Sequence, residues 1–264
     1  MRYWLNSLLC VVVVQFSSFA IADSSKPLLR IGVPEDFPPF YFHDENGELR
    51  GASYEVVVSI LHSLGYQTQA TQYPNMRQLL ANIAAGKEDI VVNLTGTESR
   101  RKVAYFTDTP HIYESQDVIV RADSAIRFEG KLPQLSPYKI GTIFGWTYGP
   151  EFDSANYLHK EYVNDSEEQL KGLLSGNFDM LINNKNFVQS VTQTLGVSKA
   201  FEALDHAIFI LPVTIAVSKA HPNATSLVAT LENEVVRYRK TEEYQSILTR
   251  YGFDPNILNE GGSL

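Results

Sequence analysis

The densest set of groups able to hold a small anion lies in one stretch, Asp89 to Lys102, DIVVNLTGTESRRK. Asn93 offers an amide, Thr95 and Thr97 offer hydroxyls, and Arg100 offers a guanidinium, all in close succession. A charge-assisted hydrogen bond is worth about 1.5–3 kcal/mol, and a planar guanidinium fork can give two of them to one carboxylate. The stretch therefore reads as an anion clamp, with a surface pairing of Arg100 and Glu98 as the other use of the same residues. Arg101 and Lys102 read as solvated charges. Two aromatic groups are available to cover apolar or planar parts of a ligand, or to serve as ordinary core: Phe37, Phe40 and Tyr41 in PEDFPPFYF, and Phe144, Trp146 and Tyr148. Pro34, Pro38 and Pro39 stiffen the first of these loops.

Catalytic signatures are missing. The sequence has no Gly-x-Ser-x-Gly elbow, no glycine-rich phosphate loop and no His-Glu-x-x-His. The histidines at 43, 62, 111, 159, 206 and 221 stand singly without ligand spacing, so no metal and no cofactor are expected. Adjacent carboxylates such as Glu35-Asp36 and Glu167-Glu168 read as solvated turns and helix N-terminal charge.

The clamp needs elements to position it. Asp89 precedes the apolar run Ile90, Val91 and Val92, which suits a strand buried on both faces, and the polar residues then fall at its carboxyl end. In open α/β sheets ligands bind there, because strand ends and helix N-termini converge on a crevice. Upstream, Leu28 to Val33 reads as a strand, Ser53 to Leu64 as a helix stopped at Gly65, Gln67 to Gln72 as a strand, and Asn75 to Ala85 as a helix with Asn75 as N-cap and Gly86 as its stop. This alternation favours a mainly parallel sheet covered by helices. Val103 to Thr107 and Gln116 to Arg121 read as extended. A second alternation follows: Lys139 to Ile143, a turn at Gly145, a helix from about Pro150, a strand near Tyr162, a helix opened by a Ser166/Gln169 capping box, and the strand Asp179 to Ile182. Ile208 to Val217 reads as an extended return crossing interrupted by Pro212. Helices over roughly Asn223 to Arg239 and Glu242 to Tyr251 should pack back on the first lobe.

GKEDIVVN and GNFDMLIN echo one another, matching Gly86, Asp89 and Asn93 to Gly176, Asp179 and Asn183, each after a helix containing paired leucines. The echo implies two similar α/β lobes whose strand ends face a common cleft. We expect lobe 1 over residues 23–119 and 213–264, lobe 2 over 120–212, and two hinge crossings near Val120 and Pro212.

Residues 1–22 carry Arg2, an apolar run from Leu8 to Val14, and the small-residue ending Ala20-Ile21-Ala22, which is the pattern of a cleavable secretory signal. The run is too short to span a bilayer, which takes about 20 apolar residues. Cys10, the only cysteine, falls inside this segment, so the mature chain should hold no thiol or disulfide. The formal charge of −8 disfavours nucleic acid and anionic membrane surfaces as partners.

From Leu28 to about Phe253 the chain resembles the family-three extracellular solute-binding proteins, the periplasmic amino-acid-binding class that feeds ATP-driven importers. The resemblance rests on LRIGVPEDFPPFYF, GELRGASYEVVVSIL, GKEDIVVNLTGTESRRKVAYFTDTP, KIGTIFGWTYG, GNFDMLIN and EEYQSILTRYGF in this order and spacing. It implies a two-lobed periplasmic-binding-protein fold of type II, a periplasmic monomer that closes on a small carboxylate-bearing solute, and membrane subunits of an ABC transporter as partners, with no direct membrane insertion. Carried over by position, Phe37 falls where an aromatic ring stacks on ligand and Met76 where a large apolar residue sits. Asn93, Thr95 and Arg100 fall where the ligand carboxylate is bound, and Gly145, Trp146 and Thr147 on the turn that completes that site.

Two departures stand out. Pro34 replaces a frequent aspartate, and Asn184 stands where the family places the aspartate that binds the ligand's α-ammonium. Leaving a buried charge without its partner costs about 3–5 kcal/mol. The departure points toward a carboxylate solute without an ammonium, or a peptide-like or modified compound, with Glu35 or Asp36 in the neighbouring loop as the other source of the charge. Trp146 in place of a small hydroxyl residue implies a narrower or more aromatic site. Other functions implied by likeness of fold are a secreted dehydratase of the cyclohexadienyl type and a soluble sensor that presents its ligand to a membrane receptor kinase. The first lacks an acidic group at the second strand end to act as proton donor.

Overall fold

The computed structural model describes residues 27–254, so the proposed export signal over residues 1–22, with Cys10, lies outside the described residues. The first half runs β1 (Leu28–Val33), β2 (Phe42–His43), β3 (Leu49–Arg50), α1 (Ala52–Ser63), β4 (Gln67–Gln72), α2 (Met76–Ala84), β5 (Ile90–Leu94) and β6 (Ala104–Phe106). Strand β1 pairs in parallel with β4 on one side and β5 on the other. All of β5 is buried, which its unbroken apolar run requires. Helix α1 buries Val56, Val57, Ile60 and Leu61, and α2 buries Met76, Leu79 and Ile83, the positions spaced to share one face. Asn75 caps α2 as its side chain accepts the Gln78 N–H at 3.0 Å.

Strand β7 (Ile112–Arg121) leads into a second half of the same design: β8 (Lys139–Ile143), α3 (Pro150–Ser154), β9 (His159–Val163), α4 (Ser166–Leu174), β10 (Met180–Asn183) and α5 (Lys185–Thr194). Here β8 pairs in parallel with β9 and β10, as β1 does with β4 and β5. The sequence echo is realised in hydrogen bonds. Asp89 N–H donates to the Arg30 carbonyl at 2.9 Å while its carboxylate accepts the Arg30 N–H at 2.9 Å. Asp179 makes the same pair with Lys139, both at 2.9 Å. Each aspartate thus fastens the start of one strand to its neighbour. The covering side chains also press equally close: a Cβ on Gly32 would lie 2.4 Å from Leu79 Cδ1, and one on Gly141 2.4 Å from Phe178 Cε2.

Two long strands tie the halves together. β7 and β11 (Phe201–Ser218) pair antiparallel from Phe201 opposite Arg121 to Val213 opposite Ile112. β11 also pairs with β5 and β6 through Thr214–Ser218, and β7 pairs with β10 through Asp117–Val120, giving the sheet order β4-β1-β5-β11-β7-β10-β8-β9. Both strands exceed the extended segments expected from sequence, because the added stretches, IYES in β7 and FEALDHA in β11, mix polar and apolar residues without a clean period. Pro212 is accommodated opposite Tyr113, below the point where β11 acquires its second neighbour β5 at Thr214, so its missing N–H leaves no ladder bond unmade on that side. Helices α6 (Ala224–Tyr238) and α7 (Glu242–Arg250) return to pack on α1.

Two local features differ from the sequence expectations. The cap of α4 is Asp165, whose carboxylate accepts the Glu168 N–H at 2.8 Å, and Ser166 is already the first helical residue. Gln169 is consequently free to point inward, where its amide donates to the Gly141 and Ile182 carbonyls at 2.9 and 3.1 Å. Helix α5 was not legible either, since its sequence KNFVQSVTQT buries only Phe187, Val188 and Thr192.

Candidate functional site

The carboxyl ends of β5 and β10 face one another across the paired strands β7 and β11. Arg100 sits in a 3-10 turn (Arg100–Lys102) beyond β5 and is only 6% exposed. Its Nη1 donates to the Thr95 carbonyl at 2.9 Å and its Nη2 crosses to the second half, donating to the Gly145 carbonyl at 2.8 Å. Among the described residues no carboxylate lies within ion-pair distance of this guanidinium. Burial pulls its pKa down to about 10, with Glu114 and Asp153 opposing, so it stays cationic at neutral pH. A buried cation met only by carbonyl dipoles is short of a counter-charge.

The groups around it are held in different ways. The Thr95 hydroxyl donates to the Pro212 carbonyl at 2.9 Å. Asn93 makes one long contact, Nδ2 to Glu114 Oε2 at 3.4 Å, and its Oδ1 is buried without a partner. On the second half, Thr147 donates its hydroxyl to the Asp153 carboxylate, which also accepts the Tyr148 N–H at 3.0 Å. The Trp146 indole N–H is buried and unpartnered.

The halves are closed on each other in this structure. Phe37 from the loop after β1 stacks on Phe187 of α5 at 4.7 Å and meets Trp146 edge-on at 5.2 Å. Arg77 of α2 lies over the Phe144 ring at 4.3 Å. What remains of the central space is a cavity of about 30 Å³ lined by Tyr41, Met76, Asn93, Thr95, Arg100, Glu114, Trp146 and Thr147, room for a water molecule or two. Arg100, Trp146 and Thr147 also line a cleft of about 350 Å³ with Thr97, Ser99, Lys160 and Tyr162, in the size range of small-molecule sites.

The structure therefore brings Met76, Asn93, Thr95, Arg100, Trp146 and Thr147 to one cavity, with Phe37 packed behind Trp146. Asn184 is used differently. Its Oδ1 caps α5, accepting the Asn186 and Phe187 N–H groups at 3.0 and 3.2 Å, and its Nδ2 donates to the backbone and hydroxyl oxygens of Ser115. Glu35 and Asp36 do not line the cavity. Asp36 is held by His43 and Gln72, and Glu35 faces Asp165 and Ser166, where burial pushes its carboxyl up to about 7.

One acidic group in the cavity escaped sequence reasoning. Glu114 on β7 is 6% exposed and accepts from Gln116 Nε2 at 2.6 Å. Burial raises its carboxyl to about 7, against the opposing hydrogen bonds of Gln116 and Asn93 and the charge of Arg100. Its local sequence, IYESQD, reads as a polar connector, and only the alternation of Glu114 and Gln116 with Tyr113 and Ser115 hints that one face turns inward.

With this geometry in hand, comparison with known proteins is informative. Residues 29–254 match the family described as bacterial extracellular solute-binding proteins, family 3. A protein of Haemophilus influenzae named "Probable amino-acid ABC transporter-binding protein" is 30% identical over 124 residues, which is 43% of this chain and 47% of that protein. The chain thus spans about half the length of the curated relatives it matches. Among solved structures, an ancestral arginine-binding protein bound to arginine aligns with a TM-score of 0.71 at 23% identity, over 85% of this chain and 98% of that one. A histidine kinase sensor domain with similarity to periplasmic binding proteins aligns with a TM-score of 0.74 at 18% identity, over 85% and 96%. At such identities the likeness is one of fold, and it is the two-lobed α/β periplasmic-binding-protein fold expected from the sequence.

Proposed function

Since the chain belongs to the bacterial extracellular solute-binding proteins, family 3, we propose that it captures a small carboxylate-bearing solute, an amino acid or a related compound, between its lobes and delivers it to the membrane subunits of an ABC importer. The observation that carries this reading is Arg100: a buried guanidinium without a carboxylate partner, in a cavity lined by both lobes. A solute carboxylate supplies the missing charge. Asn93 and Thr95 line the cavity from one lobe, and Thr147 and the unpartnered Trp146 N–H, a free donor, from the other. Because groups on both lobes contribute, the lobes part about β7 and β11, the hinge crossings between lobe 1 and lobe 2, and meet around the solute with more room than the cavity of about 30 Å³ left in the packing seen here. Action in the periplasm accords with the family's extracellular description, and no helix among the described residues is long and apolar enough to cross a membrane.

Calorimetry of the purified protein against amino acids, organic acids and small peptides tests this reading. We expect Arg100→Ala to weaken binding by about 10²–10⁴-fold, the equivalent of two charge-assisted hydrogen bonds. An unchanged affinity in the variant, or no binding by the wild type, overturns it.

A second reading has one observation in its favour. The family and the relatives named above are binding proteins, but a dehydratase needs a proton donor beside its carboxylate clamp, and Glu114 is a carboxyl near neutrality in that position. Turnover of prephenate or arogenate by the purified protein would establish it, and stable substrate would exclude it for those acids.

A further inference from the structure

Resting on the carboxylate-capture reading above, we infer that Glu114, on the hinge strand, receives a cationic nitrogen of the solute in place of the second-lobe strand end, so that the solute carries a carboxylate and a protonated amine together. Three observations lead there. The strand-end position in lobe 2 has nothing left to offer, because both polar atoms of Asn184 are committed to capping α5 and to Ser115. Its neighbour Asn183 is equally occupied, donating to Gln169 Oε1 at 2.8 Å and accepting the Asn184 N–H at 2.7 Å.

The second observation is the polarity of the central cavity. Its lining offers donors, in the Arg100 guanidinium and the unpartnered Trp146 N–H, and acceptors, in the Glu114 carboxylate and the unpartnered Asn93 Oδ1. Gln116, two residues along β7 and bonded to Glu114, has its own Oε1 buried and unpartnered. An ammonium brings three donors and no acceptor, so it matches a carboxylate flanked by amide oxygens. A carboxylate offers about four lone-pair sites, and the contacts from Gln116 and Asn93 leave Glu114 capacity for such a guest.

The third observation is the cost of the alternative. A solute with a carboxylate and no cation would bring a second negative charge into the small cavity that holds Glu114, and like charges in one buried site disfavour joint ionisation. Such a solute would bind with uptake of a proton, and one carrying an ammonium would bind to the ionised form. The two classes should therefore respond to pH with opposite sign. The other titratable groups acting on Glu114 do not change charge on this route: Arg100 stays cationic, and the Tyr41 and Tyr148 hydroxyls are held neutral by burial. Asp117, which favours protonation of Glu114, is fixed by Ser115 Oγ at 2.6 Å and the Lys185 N–H at 2.9 Å.

The experiment titrates wild type, Arg100→Ala and Glu114→Gln with the standard L-amino acids and, for each, the carboxylate lacking the amino group. We expect binding that depends on Arg100, and at least one amino acid preferred over its deaminated counterpart by about 30-fold or more. Glu114→Gln should abolish that preference by weakening the amino acid and leaving the deaminated acid unchanged or tighter. In the wild type the amino-acid affinity should fall as pH is lowered from 8 to 6, a slope that Glu114→Gln removes and that Glu35→Gln retains.

Arg100-dependent binding with no preference for the amine, or an equal loss of both classes in Glu114→Gln, overturns the inference and leaves the carboxylate-capture reading standing. In the second case Glu114 is simply a distant counter-ion for Arg100. Silence of the wild type toward both series overturns the two together. If Glu114→Gln does not fold, as judged by circular dichroism and melting, the wild-type pH slope decides, and an amino-acid affinity that is flat or rises toward pH 6 overturns the inference.

Discussion

At their starts β5 and β10 are interchangeable, since Asp89 and Asp179 each exchange two backbone-anchoring hydrogen bonds with the neighbouring strand. At their ends they are not. The amide of Asn183 is fully employed, because Gln169 of α4 reaches in to accept from it while donating to two backbone carbonyls. The corresponding place on α2, one helix-strand repeat earlier, is held by Leu79, which packs against Gly32 and offers Asn93 no partner. The chain continuing from β10 enters α5 at once and Asn184 becomes its cap, whereas the chain continuing from β5 passes through Thr95–Ser99 before the 3-10 turn that carries Arg100. Repetition therefore extends to what aligns the strands. Polar satisfaction diverges: lobe 2 uses its strand-end amides internally, and lobe 1 keeps buried polar groups without partners, which a solute can meet.

Copying the lobe 1 arrangement into lobe 2 is the most severe test of this contrast. Gln169→Leu removes the hydrogen bonds to Gly141, Ile182 and Asn183 and leaves those groups buried, so we expect a loss of about 2–4 kcal/mol of stability in urea denaturation. A variant within about 0.5 kcal/mol of wild type would show that Gln169 is not what satisfies this strand end.

The shared anchors should differ by less. Asp89 also accepts from Arg30 Nε and Nη2 at 2.9 and 2.7 Å, whereas Asp179 is joined to its strand neighbour Lys139 by the two backbone bonds. Arg30 is about half exposed, so its ion pair is screened. Asp89→Ala should cost about 2–3 kcal/mol and Asp179→Ala about 1 kcal/mol at neutral pH. Burial alone would raise the Asp89 carboxyl, but the hydrogen bonds and charge of Arg30 outweigh it and hold the group below its ordinary 3.8. A depressed folded pKa stabilises above the unfolded value and ceases to do so as pH falls through the folded one. The gap between wild type and Asp89→Ala should accordingly shrink below pH 3.8, and a gap that widens there would contradict the assignment.

The smallest effects should cross over. Asn184→Ala removes a helix cap and should cost about 1–2 kcal/mol of stability with little change in solute affinity. Asn93→Ala should do the reverse, weakening affinity about tenfold with less than about 0.5 kcal/mol lost in stability. Parallel responses of the two variants in both assays would erase the distinction between the strand ends.

By itself the sequence determined the elements whose signals are local: α1 and α2 from helical spacing, β1 and β5 from short apolar runs, and the anion clamp from the closeness of Asn93, Thr95 and Arg100 along the chain. The GKEDIVVN and GNFDMLIN echo was legible for the same reason, since its members are local. The tertiary structure decided what each polar group does. Asn184 is a cap because α5 follows β10 without a loop, and nothing in KNFVQSVTQT announces that helix. Glu114 enters the cavity because β7 pairs with β10 through Asp117 and with β11 through Leu211, a register fixed by residues about 70 to 100 positions away in the chain. A shift of one residue would turn the carboxylate to the opposite face of the strand. Local spacing carries no information about that choice, so a second charged group in the cavity with Arg100 appears only when the two long strands are paired.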